Sequence, residues 1–302
     1  MNNEPLIYII ILNYNGYKYT LECIESLNNI NYENYRIVVV DNNSTDNSIK
    51  LLKKNLKDCI ILESKENLGY AGGNNLGIKY AIKNKAEYIC ILNNDLVVSK
   101  NFLKDLLKDL DTNKNIGMIG PMICDYTNRN KVQSTGAIIN LKRGLVTRIN
   151  NGKNVNEIKK EIKKCDYIGG ACILLNSNLI KEIGYIPEAY FLFYEETEWC
   201  LKTKRKGYDI ACDTNVKIYH RESGTISKTR GLSYYFMRRN KIVFQKRNSS
   251  KKEILYFYIY FTLKTLKNLV LRKENFYSIK CYYDGLLGKI DNKFRNVYIC
   301  EE

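Results

Sequence analysis

The chain is short of several features, and each shortage narrows what it can be. Its ten cysteines are scattered from Cys23 to Cys300 and no two form a Cys-x-x-Cys pair, so neither a zinc site nor a disulfide framework is written into their spacing. They read as reduced, mostly buried small hydrophobes. No stretch reaches the run of about 20 apolar residues that a membrane-spanning helix needs. The start has no basic segment before an apolar run, and residues 6–12 are too short for a signal-peptide core. The expectation is a protein made and kept in the cytoplasm. Acidic residues are outnumbered, 32 Asp and Glu against 48 Lys and Arg, for a formal net charge of +16. The resulting positive field favours an anionic partner: nucleic acid, a nucleotide-linked substrate or an anionic membrane face. With 45% hydrophobic residues in 302, the composition is neither disordered nor fibrous. It can fill the core of one large domain, or of one domain with an appendage.

What the chain does have is a repeated device. Residues 6–12 (LIYIIIL), 36–40 (RIVVV) and 88–92 (YICIL) are apolar runs without polar alternation, the pattern of strands buried on both faces of a parallel sheet. The first two are followed by polar turns and then helical patterns, with Leu21, Ile24 and Leu27 after one and Ile49, Leu52 and Leu56 after the other. A short third strand at 60–62 leads into a glycine-dense turn at 67–77 that opens a helix. This alternation predicts a doubly wound parallel sheet with its loops gathered at one edge, where Asn13, Asp41 and Asp95 would converge. A carboxylate at such a strand end is a hard oxygen ligand suited to a divalent cation, and the cation would hold a diphosphate. Taken alone, Asn93-Asn94-Asp95 is equally the composition of a turn.

Further on, the pattern predicts a helix at 102–110, a strand at 116–123 broken at Gly120-Pro121, and mixed or antiparallel structure over 126–164. An apolar strand returns at 166–175, where Gly169-Gly170 marks a close backbone approach or a β-bulge. Three carboxylates, Glu195, Glu196 and Glu198, then stand between Tyr194 and Trp199. A helix starting near Glu195 would keep a carboxylate ionised at its positive end, ready to serve as a general base; acidic residues are also ordinary in a first helical turn. The single histidine, His220, follows a strand at 216–219 and sits on a loop where its imidazole could reach a metal or phosphate. Residues 234–271 then mix Tyr, Phe, Ile and Leu with Lys and Arg. Helices lying on an anionic bilayer have this composition, as do helices that cover a sheet with lysine stems reaching outward.

In order along the chain, these pieces resemble the family 2 glycosyltransferases: Asn13-Tyr14-Asn15-Gly16, Asp41-Asn42-Asn43-Ser44, Asn67-Leu68-Gly69 through Asn74-Asn75, Asn93-Asn94-Asp95, Gly169-Gly170-Ala171, Glu195-Glu196-Thr197-Glu198-Trp199-Cys200, His220 and Arg239-Asn240. The resemblance covers nearly the whole chain and implies the GT-A fold, an α/β, Rossmann-like architecture with a mainly parallel central sheet flanked by helices. The catalytic domain would span residues 1–225, its nucleotide-sugar half ending at about residue 120, and residues 226–302 would form a C-terminal amphipathic helical segment.

The resemblance also implies chemistry. A UDP-, dTDP- or GDP-sugar would be the donor, Mg²⁺ or Mn²⁺ the cofactor, and a hydroxyl of a cell-surface glycan or lipid-linked acceptor the target of a single inverting displacement, with peripheral contact at the inner face of the cell membrane. The spellings Asn-Asn-Asp and Glu-Glu-Thr-Glu-Trp-Cys look closest to the rhamnosyltransferase-like branch. Asp41 falls on the carboxylate that meets the donor's pyrimidine ring; Asn13, Tyr14, Asn15, Asn43, Gly69, Asn74, Asn93, Asn94 and Arg239 fall on the rest of the donor site. Asp95 falls on the metal-binding acid, with Asn93 where the family often has a second one, and His220 on the residue that touches the metal or diphosphate. Glu196 takes the place of the general base, one methylene longer than the usual Asp, so Glu195 or Glu198 could act instead. Tyr194 and Trp199 would place the acceptor sugar, unless they pack the core.

Two other classes remain in view. A nucleotidyltransferase would need a glycine-rich phosphate loop after the first strand, where residues 13–18 supply one glycine and one lysine. A nucleic-acid-binding protein would cluster its charge on one recognition element, and here the lysines are spread along the whole length; no nucleic-acid partner is expected.

Overall fold

The computed structural model describes residues 4–221 and 231–291, so the domain boundary expected near residue 225 and Cys300 lie outside the described residues. The first half alternates as the apolar runs require: β1 (Ile7–Asn13), α1 (Tyr17–Leu27), β2 (Tyr35–Asp41), α2 (Ser48–Asn55), β3 (Ile60–Glu63), α3 (Gly69–Lys83) and β4 (Tyr88–Asn93). There follow β5 (Leu96–Val98), α4 (Phe102–Thr112), β6 (Ile116–Asp125), β7 (Val132–Ser134), the hairpin of β8 (Ala137–Asn140) and β9 (Leu145–Arg148), β10 (Ile162–Cys165) and β11 (Cys172–Asn176). The chain continues through α5 (Leu179–Ile183), α6 (Glu195–Arg205), β12 (Asp209–His220), α7 (Leu232–Asn248), α8 (Lys251–Val270) and α9 (Phe276–Leu287).

The main sheet runs in the order β10-β12-β6-β11-β4-β1-β2-β3, with β5 added to β12 and β7 to β6. Strands β3, β2, β1 and β4 form the parallel block that the sequence predicts. Beyond it the sheet is mixed: β11 inserts antiparallel between β4 and β6, and β6 pairs in parallel with β12. The uninterrupted apolar runs arise because each strand feeds two cores. Ile7, Ile9 and Ile11 pack with Val39, Leu92, Leu27, Phe102 and Leu106 on one face. Tyr8 and Ile10 pack with Val38, Val40, Ile91, Ile78 and Trp199 on the other. Each fully buried aliphatic side chain of this kind contributes about 1.5–3 kcal/mol.

Three expectations are corrected. The glycine-dense stretch is the first half of α3 and not a turn, because the helix must lie close on β1: a methyl group at Gly77 would fall 2.5 Å from Ile10 Cγ2. Gly120-Pro121 does not break its strand; β6 runs through it, and the neighbouring β12 shifts register between Asp213 and Lys217, where proline offers no N–H. His220 is not on a loop but is the last residue of β12, opposite Asp125 of β6 and Leu96 of β5. The nine described cysteines are free, and all but Cys59 are buried. Among the described residues no helix is long and apolar enough to cross a membrane.

Candidate active site

Asn13 and Asp41 end β1 and β2 side by side, and Asn93 ends β4 beside Leu12. The strands grow outward from β1 in one direction through β2 and β3 and in the other through β4, so this edge is the switch point at which open α/β sheets hold ligands. Asp41 is 3% exposed; its Oδ1 accepts hydrogen bonds from Asn13 Nδ2 (2.7 Å) and Ser44 Oγ (2.6 Å), and its Oδ2 accepts one from the Ser44 amide (3.0 Å). Oδ2 keeps a lone pair for a donor on a ligand.

Several of the residues expected against the donor act on their neighbours. Asn13 is fully buried; its Oδ1 accepts from Thr20 Oγ1 (2.8 Å), and Thr20 Oγ1 accepts from Asn94 Nδ2 (3.0 Å). The chain Asn94–Thr20–Asn13–Asp41 therefore ties the end of β4 to the end of β2. Asn15, in the left-handed region at φ 50°, accepts from the Thr45 amide (2.8 Å) and holds the loop after β2; Asn43 makes its own left-handed turn there at φ 61°. The Gly69 carbonyl accepts from Asn42 Nδ2 (3.1 Å). Asn74 is buried within α3, donating to the Tyr70 carbonyl (2.9 Å), and Tyr14 is half-buried.

The pairing of β5 with β12 sets His220 Nε2 3.3 Å from Asp95 Oδ1. That carboxylate oxygen is buried and receives no hydrogen bond. An orphaned carboxylate oxygen beside an imidazole nitrogen fits a divalent cation, since neighbouring ligands in an octahedral Mg²⁺ shell lie about 3 Å apart. Among the described residues no group of three or more His, Cys, Asp and Glu side chains gathers here or elsewhere. Water and substrate phosphate would have to complete the shell, which is the usual habit of Mg²⁺.

The three carboxylates at the start of α6 have three different environments. Glu198 is 2% exposed and receives two hydrogen bonds from Arg247 (2.8 Å each), one from Asn248 (3.0 Å) and one from Tyr190. Burial acts to raise its pKa, but the Arg247 pair and the other hydrogen bonds outweigh it and hold the carboxyl at about 2. Glu195 is 1% exposed, with no hydrogen-bond partner on either oxygen; burial first, and the neighbouring Glu196 charge second, push its pKa well up. Glu196 is half-buried as a residue; its Oε1 accepts from Tyr167 Oη (2.9 Å), and its Oε2 is buried without a partner. Burial raises its pKa against the lowering effect of its hydrogen bonds. Gly170 makes room for this group: a methyl there would lie 2.5 Å from Tyr70 Oη and 3.2 Å from Glu196 Cγ. The next residue, Ala171, accepts the Asn93 amide through its carbonyl (2.9 Å), so Glu196 and the end of β4 flank one short link.

Other expected residues lie elsewhere. Arg239 is buried and spends its guanidinium on the carbonyls of Ala189, Gly288 and Lys289 and on Asn240. It fastens α7 and α9 to the segment before α6, and no described contact brings it to Asp41 or Asp95. Trp199 is fully buried and donates to the Gly184 carbonyl (2.9 Å), while Tyr194 packs on Tyr190 and Phe244. Both are packed in the core, the alternative that the sequence left open for them. Sequence reading gave no role to Thr20, Tyr167 and Arg247; Ser44 stood within the Asp41-Asn42-Asn43-Ser44 motif, and Tyr167 two residues before Gly169-Gly170.

With this geometry in hand, the comparisons with known proteins are specific. The family model "Glycosyl transferase family 2" matches residues 8–184, more than half of the 302. The chain belongs to glycosyltransferase family 2. This family 2 glycosyltransferase is 25% identical over 300 residues to the dTDP-rhamnosyl transferase RfbF of Shigella flexneri, covering 93% of this chain and 96% of the relative. It is 28% identical over 201 residues to the low-salt glycan biosynthesis hexosyltransferase Agl10 of Haloferax volcanii, covering 66% of this chain and 62% of that one. The match thus spans about three-fifths of the archaeal relative's length. Among solved structures, the mannosyltransferase PcManGT of Pyrobaculum calidifontis, in complex with GDP-Man and Mn²⁺, superposes with a TM-score of 0.58 at 14% identity, over 84% of this chain and 69% of that one. The fold is GT-A, and the family match assigns the chain to glycosyl transfer rather than nucleotidyl transfer.

Proposed function

We propose that the enzyme transfers a sugar, with inversion, from a nucleotide-diphospho-sugar to an acceptor hydroxyl, with Glu196 as general base. The observation that carries this reading is the division of labour among the three carboxyls. Glu198 is committed to Arg247, and Glu195 is sealed away without a partner, its pKa pushed well up by burial. Glu196 is the one of the three whose carboxyl combines a hydrogen bond from Tyr167 with a raised pKa, and its Oε2 has no partner. Environments that push the pKa values of neighbouring carboxyls apart assign their roles, and a carboxylate lifted toward neutrality is the stronger base. Glu196 takes the proton of the acceptor hydroxyl as that oxygen bonds to the anomeric carbon; the sugar–phosphate bond breaks and its electron pair leaves with the nucleoside diphosphate. Asp41, held from behind by Asn13 and Ser44, offers Oδ2 to the nucleobase. Asp95 and His220 would hold Mg²⁺ or Mn²⁺, which when bound supplies positive charge for the departing diphosphate.

The near full-length similarity to a protein named as a dTDP-rhamnosyl transferase supports dTDP-rhamnose as the first donor to try, and a cell-surface glycan or lipid-linked sugar as the acceptor. The test is nucleoside diphosphate release from UDP-, dTDP- and GDP-sugars with Mg²⁺ or Mn²⁺ and such acceptors. Release from dTDP-rhamnose supports the narrower reading, release from another donor overturns that part alone, and silence across the panel overturns the whole.

We further propose a cytoplasmic catalytic domain over residues 1–225 whose helical tail rests on the anionic inner face of the membrane. Helix α7 is largely buried against the domain, but α8 has two apolar faces. Phe257 is turned inward, while Leu255, Ile259, Leu263, Leu266 and Val270 form an outward stripe, each 55–83% exposed. Of sixteen exposed large apolar side chains among the described residues, twelve lie between Leu255 and Leu287. Residues 251–289 carry eight Lys and Arg against three acidic residues, Glu253, Glu274 and Asp284, each of which is tied up in internal hydrogen bonds. A cationic apolar surface favours anionic lipid over a second copy of this basic chain. Co-sedimentation should be seen with phosphatidylglycerol-containing vesicles, and should be weakened by Ile259→Glu with Leu263→Glu. Equal binding of that variant, or no binding by the parent, would rule the contact out.

A further inference from the structure

Behind His220 stands Gln133. In the sheet, β6 lies between β12 and β7, and this order brings Gln133, 6% exposed, against the end of β12. Its amide meets three groups. Nε2 lies 3.1 Å from the His220 carbonyl and 3.4 Å from Asp125 Oδ2, while Oε1 lies 3.0 Å from His220 Nδ1. A carbonyl can only accept a hydrogen bond. Asp125 accepts as well: its Oδ1 takes the Thr127 hydroxyl, the Thr127 amide and the Asn128 amide. Two acceptors at one end of the amide place its NH₂ there, which turns the oxygen toward the ring. An amide oxygen facing Nδ1 requires that Nδ1 carry a hydrogen. The free lone pair of the neutral ring is then on Nε2, the atom 3.3 Å from the orphaned Asp95 Oδ1.

We propose that Gln133 is a positioning residue for His220: it fixes the Nδ1–H tautomer and the ring orientation that leave Nε2 free to ligate a divalent cation together with Asp95. A partner at the outer nitrogen of a metal-binding histidine sets both tautomer and ring plane, and its loss typically weakens metal affinity by about 10–100-fold. The inference rests on Asp95 and His220 as the metal ligands, and the test separates the two claims.

The full-length protein is titrated with Mn²⁺ alone, following affinity by electron paramagnetic resonance and ligation by the ¹⁴N modulation of a coordinated imidazole. The parent should show that modulation and His220→Ala should lack it. Gln133→Met, similar in shape but unable to accept from Nδ1, should bind Mn²⁺ about 10–100-fold more weakly, with the modulation lost or dispersed. Thermal melts verify the fold of each variant; if Gln133→Met does not fold, Gln133→Lys, which presents a donor to Nδ1, takes its place with the same expected loss. Parental affinity and modulation in the Met or Lys variant would overturn the role of Gln133 while leaving the ligands in place. Absence of nitrogen modulation in the parent would overturn the ligand assignment and the inference with it.

Discussion

Replacing Glu195 with glutamine isolates a buried carboxyl that has no hydrogen-bond partner among the described residues. The carboxyl is 1% exposed with no partner on either oxygen, and burial followed by the Glu196 charge lifts its pKa well above the ordinary glutamate value. An unfolded glutamate titrates at about 4.3. Because the folded-state pKa is the higher one, the group's stabilising contribution is fully present below about pH 4.3 and is lost as pH rises toward the folded value. In that window the folded chain holds one proton that the unfolded chain has released, which costs about 1.4 kcal/mol per pH unit. The glutamine side chain of the Glu195→Gln variant would fill the same space without a proton to keep. Urea unfolding of both proteins at about pH 5, 6 and 7 should show the variant gaining on the parent as pH rises, by up to about 1.4 kcal/mol per pH unit, with sugar transfer retained. Stability curves that run parallel in pH would refute the assignment of a neutral Glu195 and weaken the choice of Glu196 as base.

Two further outcomes follow from the same region. Arg247→Met removes the bidentate partner of the buried Glu198, leaving Lys202 Nζ at 3.4 Å as its nearby cation, and should cost about 1–3 kcal/mol in urea unfolding. Glu198 has its pKa depressed to about 2, so its contribution is present above about pH 4.3 and lost as pH falls toward 2; the variant should flatten this acid limb, and an unchanged limb would deny the ion pair its role. Gly170→Ala should push Tyr70 or Glu196 out of place and depress kcat with the melting temperature little changed, whereas unimpaired turnover would mean that the base tolerates displacement.

The parallel block and the placing of Asn13 and Asp41 at one edge were legible in the sequence, because strands buried on both faces leave uninterrupted apolar runs that end where the polar edge begins. The antiparallel insertion of β11 was not legible. A buried strand has the same composition in either direction, and only its partners on β4 and β6 distinguish them. Site chemistry was legible as residue type and not as role. Nothing local separates Glu195, Glu196 and Glu198; what does so is Arg247 and Asn248, some fifty positions on, and Tyr167, twenty-nine positions back. Arg239 and Trp199 read as functional for the opposite reason: a cation and an aromatic beside polar motifs suggest ligand contact, and only the carbonyls and core side chains around them reveal fastening and packing. Thr20 and Gln133 carried no signal, since a hydroxyl or an amide on an ordinary helix or strand is unremarkable until its partners are known.

The central claim is that Glu196 removes the acceptor's proton, and Glu196→Gln tests it most directly. With the donor that supports turnover, the variant should bind the nucleotide-sugar with an unchanged Kd by calorimetry and lose transfer by about 10²–10⁴-fold. Transfer at the parental rate would contradict the assignment, and loss of donor binding in step with activity would move Glu196 from the chemistry to the binding site.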